Sequence, residues 1–194
     1  MRNGLLLFAL IALAQLAVPG WMMVKHERVL MQGEVFRFRT APVDPRDPFR
    51  GEYVSLEFEA ERGDWSDPFA VNSSTNYTIA DATGYAVLAV DDEGYAVIHE
   101  LLAEPPQQGA YLRVTFSSYG DARVSHVELA FDRYYLQEGK GPRTEDLLRG
   151  DWSGEEAVEP LPAHAVVRVL NGDAVIEDLV VGDKSIQEWM NEPR

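Results

Sequence analysis

The chain has 194 residues, 46% of them hydrophobic, and its 32 acids against 17 Lys+Arg leave a formal net charge of −15. That hydrophobic share excludes global disorder, while the acidic balance argues against nucleic acid and against a polybasic hold on anionic lipid, both of which reward clustered Lys and Arg. The absence of cysteine removes disulfides, thiolate zinc sites, iron–sulfur clusters and any Cys nucleophile.

The first element is apolar. Leu5 to Val24 carries no charge, and Gln15 is its only strongly polar side chain. About 20 residues rising ~1.5 Å each match the ~30 Å hydrocarbon core of a bilayer. Pro19 and Gly20 come late in the stretch and are followed by Trp21, a residue that favours the membrane interface. The expectation is a membrane anchor over residues 1–24, spanning with residues 5–24, and an extramembrane domain over residues 25–194. Two alternatives stay open. A cleaved signal peptide would use Arg2, the apolar run and Ala12-Leu13-Ala14 as its small-residue site. A buried core helix is the other. The run continuing past Ala14 favours the anchor. Charge does not orient it, because Arg2 lies on one side and Lys25 and Arg28, partly offset by Glu27, on the other. An acidic, cysteine-free body is compatible with a periplasmic or extracytoplasmic site.

The body reads as strands. Glu34 to Thr40 alternates Phe36 and Phe38 with Arg37 and Arg39, and Glu52 to Ala60 alternates Val54, Leu56, Phe58 and Ala60 with polar partners. Strict alternation sets one face to pack and one to meet water or a partner. Similar runs cover Tyr85 to Val90, Tyr95 to Leu102, Ala110 to Ser117, Arg123 to Tyr134, Ala163 to Leu170 and Ala174 to Val181. Asn171-Gly172 between two such runs is a strong hairpin signal, because both residues tolerate positive φ. Asp91-Asp92-Glu93-Gly94 joins two others and reads as a solvated turn. Gly63 to Asn76 reads as an irregular loop and Glu104 to Gly109 as a linker. Asn72 and Asn76 begin glycosylation sequons, which count only in a eukaryotic secretory route. Helix is sparse: Thr144 can cap a short turn through Leu148, and Ser185 with Glu188 fits a capping box for a helix ending near Met190. The predicted fold is mainly β: an N-terminal transmembrane helix, then an antiparallel β-rich domain, sandwich or barrel-like, with one or two short helices.

Two segments concentrate charge. In Val43-Asp44-Pro45-Arg46-Asp47-Pro48-Phe49-Arg50-Gly51-Glu52-Tyr53, prolines stiffen a backbone that displays charged side chains just before a strand. In Tyr134-Tyr135-Leu136-Gln137-Glu138-Gly139-Lys140-Gly141-Pro142, small neighbours leave Glu138 and Lys140 accessible. For each, the plainer reading is a tight loop whose charges tie down the backbone or face water.

These residues carry a resemblance. Arg50-Gly51-Glu52-Tyr53-Val54-Ser55-Leu56-Glu57-Phe58 resembles the motif that names the GDYXXLXY family of bacterial membrane-anchored proteins. Val43 to Phe49 is similar to that family's lead-in, and Tyr134-Tyr135…Glu138-Gly139-Lys140-Gly141 to its second shared segment. The chain departs from the motif with Glu52 in place of Asp and Phe58 in place of Tyr. The first keeps the charge and lengthens its reach. The second loses a hydroxyl, so no partner of that oxygen is essential here. The resemblance implies an anchored bacterial protein and assigns it no biochemical role.

Enzyme readings find little. There is no G-x-S-x-G nucleophile turn, and His26, His99, His126 and His164 show no metal-ligand spacing such as H-E-x-x-H. Neither Lys25, Lys140 nor Lys184 sits in the apolar setting that a Ser–Lys dyad requires. The expectation is therefore a non-enzymatic module with no catalytic residue, metal or cofactor, binding another membrane or envelope protein. Arg46, Asp47, Arg50, Glu52 and Tyr53 would form one polar cluster with Tyr135, Glu138 and Lys140. Two alternatives remain: an envelope hydrolase using an acid pair that includes Glu138, and a purely structural domain.

Overall fold

Helix α1 (Arg2–Gln32) leads directly into strand β1 (Glu34–Arg39) through Gly33, whose N–H closes the last helical turn on Val29 O at 2.8 Å. A Cβ at Gly33 would stand 3.1 Å from Val169 N, so glycine is what lets the helix end press against the sheet. A computed structural model of the protein describes residues 2–40, 53–69, 78–119, 123–136 and 161–191, apart from the side chains of 2–7, 9, 78–80 and 119.

After β1 come β2 (Tyr53–Ser55), a 3-10 turn (Glu59–Glu61), β3 (Arg62–Ser66), β4 (Thr78–Val90), β5 (Ala96–Leu102), β6 (Tyr111–Tyr119), β7 (Arg123–Leu129) and β8 (Arg133–Tyr135). Then follow β9 (Ala163–Leu170), β10 (Asp173–Val181), β11 (Lys184–Ser185) and α2 (Ile186–Asn191). All named pairs are antiparallel. One sheet runs β1-β9-β10-β11, a second β3-β7-β6-β4-β5, and β2 pairs with β8. The five-stranded sheet curls until its edges approach, and Trp65 Nε1 on β3 donates to Ile98 O on β5 at 2.9 Å. Bridges at Thr40↔Phe58 and Leu112↔Gly172 join the sheets into a nearly closed, barrel-like body.

Alternation dictates the core. Phe36 and Phe38 from β1, Val54 from β2 and Val124, Val127 and Leu129 from β7 all point inward. Leu56 and Phe58 continue the inward series of β2. Phe38, Phe58 and Phe131 form a ring cluster with centroids 5.3 to 5.8 Å apart in edge or tilted geometry. Asn171 and Gly172 make the β9–β10 turn at φ 52° and 85°, as the hairpin signal requires. The capping box of α2 also forms, Gln187 N–H donating to Ser185 Oγ and Ser185 N–H to Glu188 Oε2, each at 3.2 Å.

Several expected elements are redrawn. The strand expected over Glu52 to Ala60 gives way after Ser55, because Glu61 Oε2 accepts the Phe58 N–H at 2.9 Å and bends the chain into the turn. Part of the expected loop at 63–76 is β3, where Trp65 supplies the buried contact. Strand β4 starts at Thr78, seven residues before the expected Tyr85, across a bulge between Ile79 and Ala82. The expected single run from Arg123 to Tyr134 is two strands in different sheets. Residues 144–148 lie outside the described residues.

The N-terminal expectation is met only as a helix. Among the described residues, no helix is long and apolar enough to cross a membrane. Helix α1 runs on past Val24 through Lys25, His26, Glu27 and Arg28 to Gln32. The described side chains begin at Phe8, inside the uncharged stretch that opens at Leu5.

Candidate functional site

The motif residues divide by face. Val54, Leu56 and Phe58 are buried, whereas Ser55 and Glu57 are exposed. Strand β2 is fixed on β8 by the register Tyr53↔Tyr135, Val54↔Tyr134 and Ser55↔Arg133. The Leu56 N–H donates to Asp132 O at 2.7 Å and extends the ladder by one step. The apolar half of the motif therefore builds core, and its Tyr half builds a surface.

That surface is aromatic and cationic. The rings of Tyr53 and Tyr135 stand 5.9 Å apart, and the Arg133 guanidinium lies 5.3 Å from the Tyr53 centroid. Tyr135 is 72% exposed. The Asp132 carboxylate, 3.6 Å away, and then the tyrosine hydroxyls hold the Arg133 guanidinium above its ordinary range. Tyr134 points the other way, into the core, and burial raises its phenol.

Of the residues named from sequence, Tyr53 and Tyr135 are thus brought together. Arg46, Asp47, Arg50, Glu52, Glu138 and Lys140 lie outside the described residues. The flanks of their segments are described. The chain enters β2 at Tyr53 and leaves β8 at Tyr135, at the same end of one ladder. At the other flanks, Thr40 N–H and Oγ1 both donate to Ala163 O at 3.0 Å. The described flanks therefore meet in two places, Tyr53 with Tyr135 and Thr40 with Ala163.

Sequence reasoning missed a second charged site. Arg39, the last residue of β1, reaches across to the β4–β5 hairpin. Its Nη1 lies 2.9 Å from Asp91 Oδ2, its Nη2 2.9 Å from Glu93 Oε2, and its guanidinium 4.0 Å from the Tyr95 centroid. Asp91 is not a plain solvated acid. Its Oδ1 accepts the N–H groups of Glu93 and Tyr95 at 2.9 Å, and the Tyr95 bond is the main cause of its depressed pKa. The three acids of this turn gave the signal, but their partner stands 52 positions earlier.

A third polar place is a cleft of about 650 Å³ on β3, β4, β6 and β7. Asp64, Asp81, Arg123, His126 and Glu128 line it. Asp64 and Arg123 form an ion pair that draws the Asp64 carboxyl down. Asp81 takes φ 51° at the β4 bulge. Among the described residues, no group of His, Asp and Glu is arranged to hold a metal ion.

A family model described as GDYXXLXY protein matches residues 15–179. No curated protein and no solved structure matches the chain.

Proposed function

The chain belongs to the GDYXXLXY family, and from that premise we propose that it is a membrane-anchored envelope protein whose β body binds another membrane or envelope component without catalysing a reaction. The observation that carries this reading is the surface of α1. Phe8, Leu10, Leu13, Leu16, Val18, Trp21, Met23 and Val24 are all strongly exposed, and at 3.6 residues per turn they occupy every side of the helix. A helix that is apolar all round needs an apolar surrounding, and the body covers only its last turns, where Val29 is buried. The uncharged run Leu5 to Val24 has the length of a bilayer core. The domain carried by this anchor would stand on the extracytoplasmic side.

The binding part of the proposal rests on the paired flanks described above. Tyr53 beside Tyr135 and Thr40 beside Ala163 bring the boundaries of both charged segments together. Arg46, Asp47, Arg50 and Glu52 on one, with Glu138 and Lys140 on the other, then form one docking surface edged by the exposed Tyr135.

The test is a pull-down of the full chain from its native membranes in mild detergent, beside a folded Arg50→Ala, Glu138→Ala double variant. The expected result is a membrane protein recovered with the wild type and lost with the variant. Identical recovery from both baits would contradict a docking role for the charged segments.

A further inference from the structure

Under the C-terminal half of α1 lies a cleft of about 690 Å³. Trp21, Met22, Lys25 and His26 roof it from α1, and the outward faces of β6 and β7 with the start of β10 form its floor. Its floor holds both signs of charge. The register Thr115↔Glu128 sets Glu128 on the same face as Arg113 and diagonal to it across the β6–β7 pair. Diagonal neighbours stand ~7–8 Å apart, within reach of long side chains, yet the two form no ion pair with each other. Among the described residues, neither the Arg113 guanidinium nor the Glu128 carboxylate has a side-chain partner. At the β10 wall, Lys25 Nζ lies 2.7 Å from Asp173 Oδ1, an exposed pair of the kind that contributes little by itself.

We propose that this cleft takes the headgroup of a zwitterionic phospholipid, a phosphate diester carrying a primary ammonium. Arg113, helped by Lys25, binds the phosphate. Glu128 accepts N–H bonds from the ammonium. Trp21 and Met22 continue the site toward the glycerol and acyl region, where amphipathic rings sit. The proposal rests on the membrane reading above, since only a bilayer around α1 brings lipid to its foot. Charge decides the headgroup class. A chain of net charge −15 repels a purely anionic lipid at long range, while a ligand of zero net charge meets a cation and an acid already set apart. A quaternary ammonium has no N–H for Glu128 and favours an aromatic cage. Trp21 is the one Trp, Tyr or Phe in the described lining, too few for such a cage.

The experiment uses the full chain in micelles with equal amounts of phosphatidylethanolamine, phosphatidylglycerol and phosphatidylcholine, read by native mass spectrometry. Wild type should retain phosphatidylethanolamine selectively. Arg113→Ala should weaken that retention about tenfold, the effect of losing one charge-assisted hydrogen bond. Glu128→Gln should keep phospholipid but lose the preference for phosphatidylethanolamine over phosphatidylglycerol. Both residues are exposed, and unchanged melting confirms that the variants fold. Equal retention of the three lipids, or variants that behave as wild type, would overturn the site. Displacement by free phosphoethanolamine or inorganic phosphate at the lipid's own concentration would overturn a lipid source. Alkaline extraction of the same three proteins separates the two readings. All three staying in the membrane without lipid selectivity sinks only this inference, whereas release of the wild type sinks the anchor and this inference together.

Discussion

Phe58 is 1% exposed and its ring closes on Phe38 and Phe131. A tyrosine hydroxyl there would need a buried partner, so the departure from the family motif removes a polar group from a packed site. Three positions on, Glu61 is 8% exposed. Its two oxygens accept the N–H groups of Phe58 and Leu129 at 2.9 and 3.1 Å. Burial nevertheless outweighs those bonds and raises its pKa above the ordinary 4.5. The folded protein thus holds the Glu61 proton more tightly than the unfolded chain does. Its contribution is complete below the ordinary pKa and is lost as pH rises through the raised folded value. Urea unfolding across that window should show Glu61→Gln lacking a downward slope that the wild type has. Parallel pH profiles for the two would contradict this. Phe58 was legible as an inward residue because its neighbours alternate. Glu61 was not, because its partner on β7 is 68 positions away.

At the scale of elements, the hairpin β4–β5 and strand β1 belong to different sheets and meet through Arg39. Its guanidinium serves Asp91, Glu93 and the Tyr95 ring at once, a planar fork that a lysine does not reproduce. Arg39→Lys should lower the melting temperature at low salt, and the gap to wild type should narrow as salt is raised, since Coulomb attraction between partly exposed groups is screened. A gap that ignores salt would assign the effect to packing. The hairpin itself was readable, as was the β9–β10 turn at Asn171-Gly172, because turn chemistry is local. Strand β3 was not. Arg62, Gly63 and Asp64 offer no alternation, and only Trp65 turns inward. The joint of β2 with β8 was half legible. The two segments announced themselves by composition, while their pairing across 82 positions from Tyr53 to Tyr135 is a product of the whole fold.

Across the whole molecule, an acidic barrel-like body stands on a helix whose apolar side chains it mostly leaves uncovered. Composition and the uncharged run at the N-terminus made that division visible. Where α1 ends was not visible, since the helix continues through Lys25 to Arg28 and docks Val29 on the sheet before turning at Gly33. The consequence is a short, stiff connection between helix and body, with the cleft of Arg113 and Glu128 at the joint. Bilayer anchoring by α1 underlies both the docking and the lipid proposals. Alkaline carbonate extraction of native membranes holding the full chain tests it, beside a Leu13→Arg, Leu16→Arg double variant. Each arginine at the centre of a span opposes insertion by about 2.5–3.5 kcal/mol. The wild type should stay with the membrane pellet and the double variant should move to the supernatant. Complete release of the wild type by carbonate would mean that α1 is covered by something other than lipid.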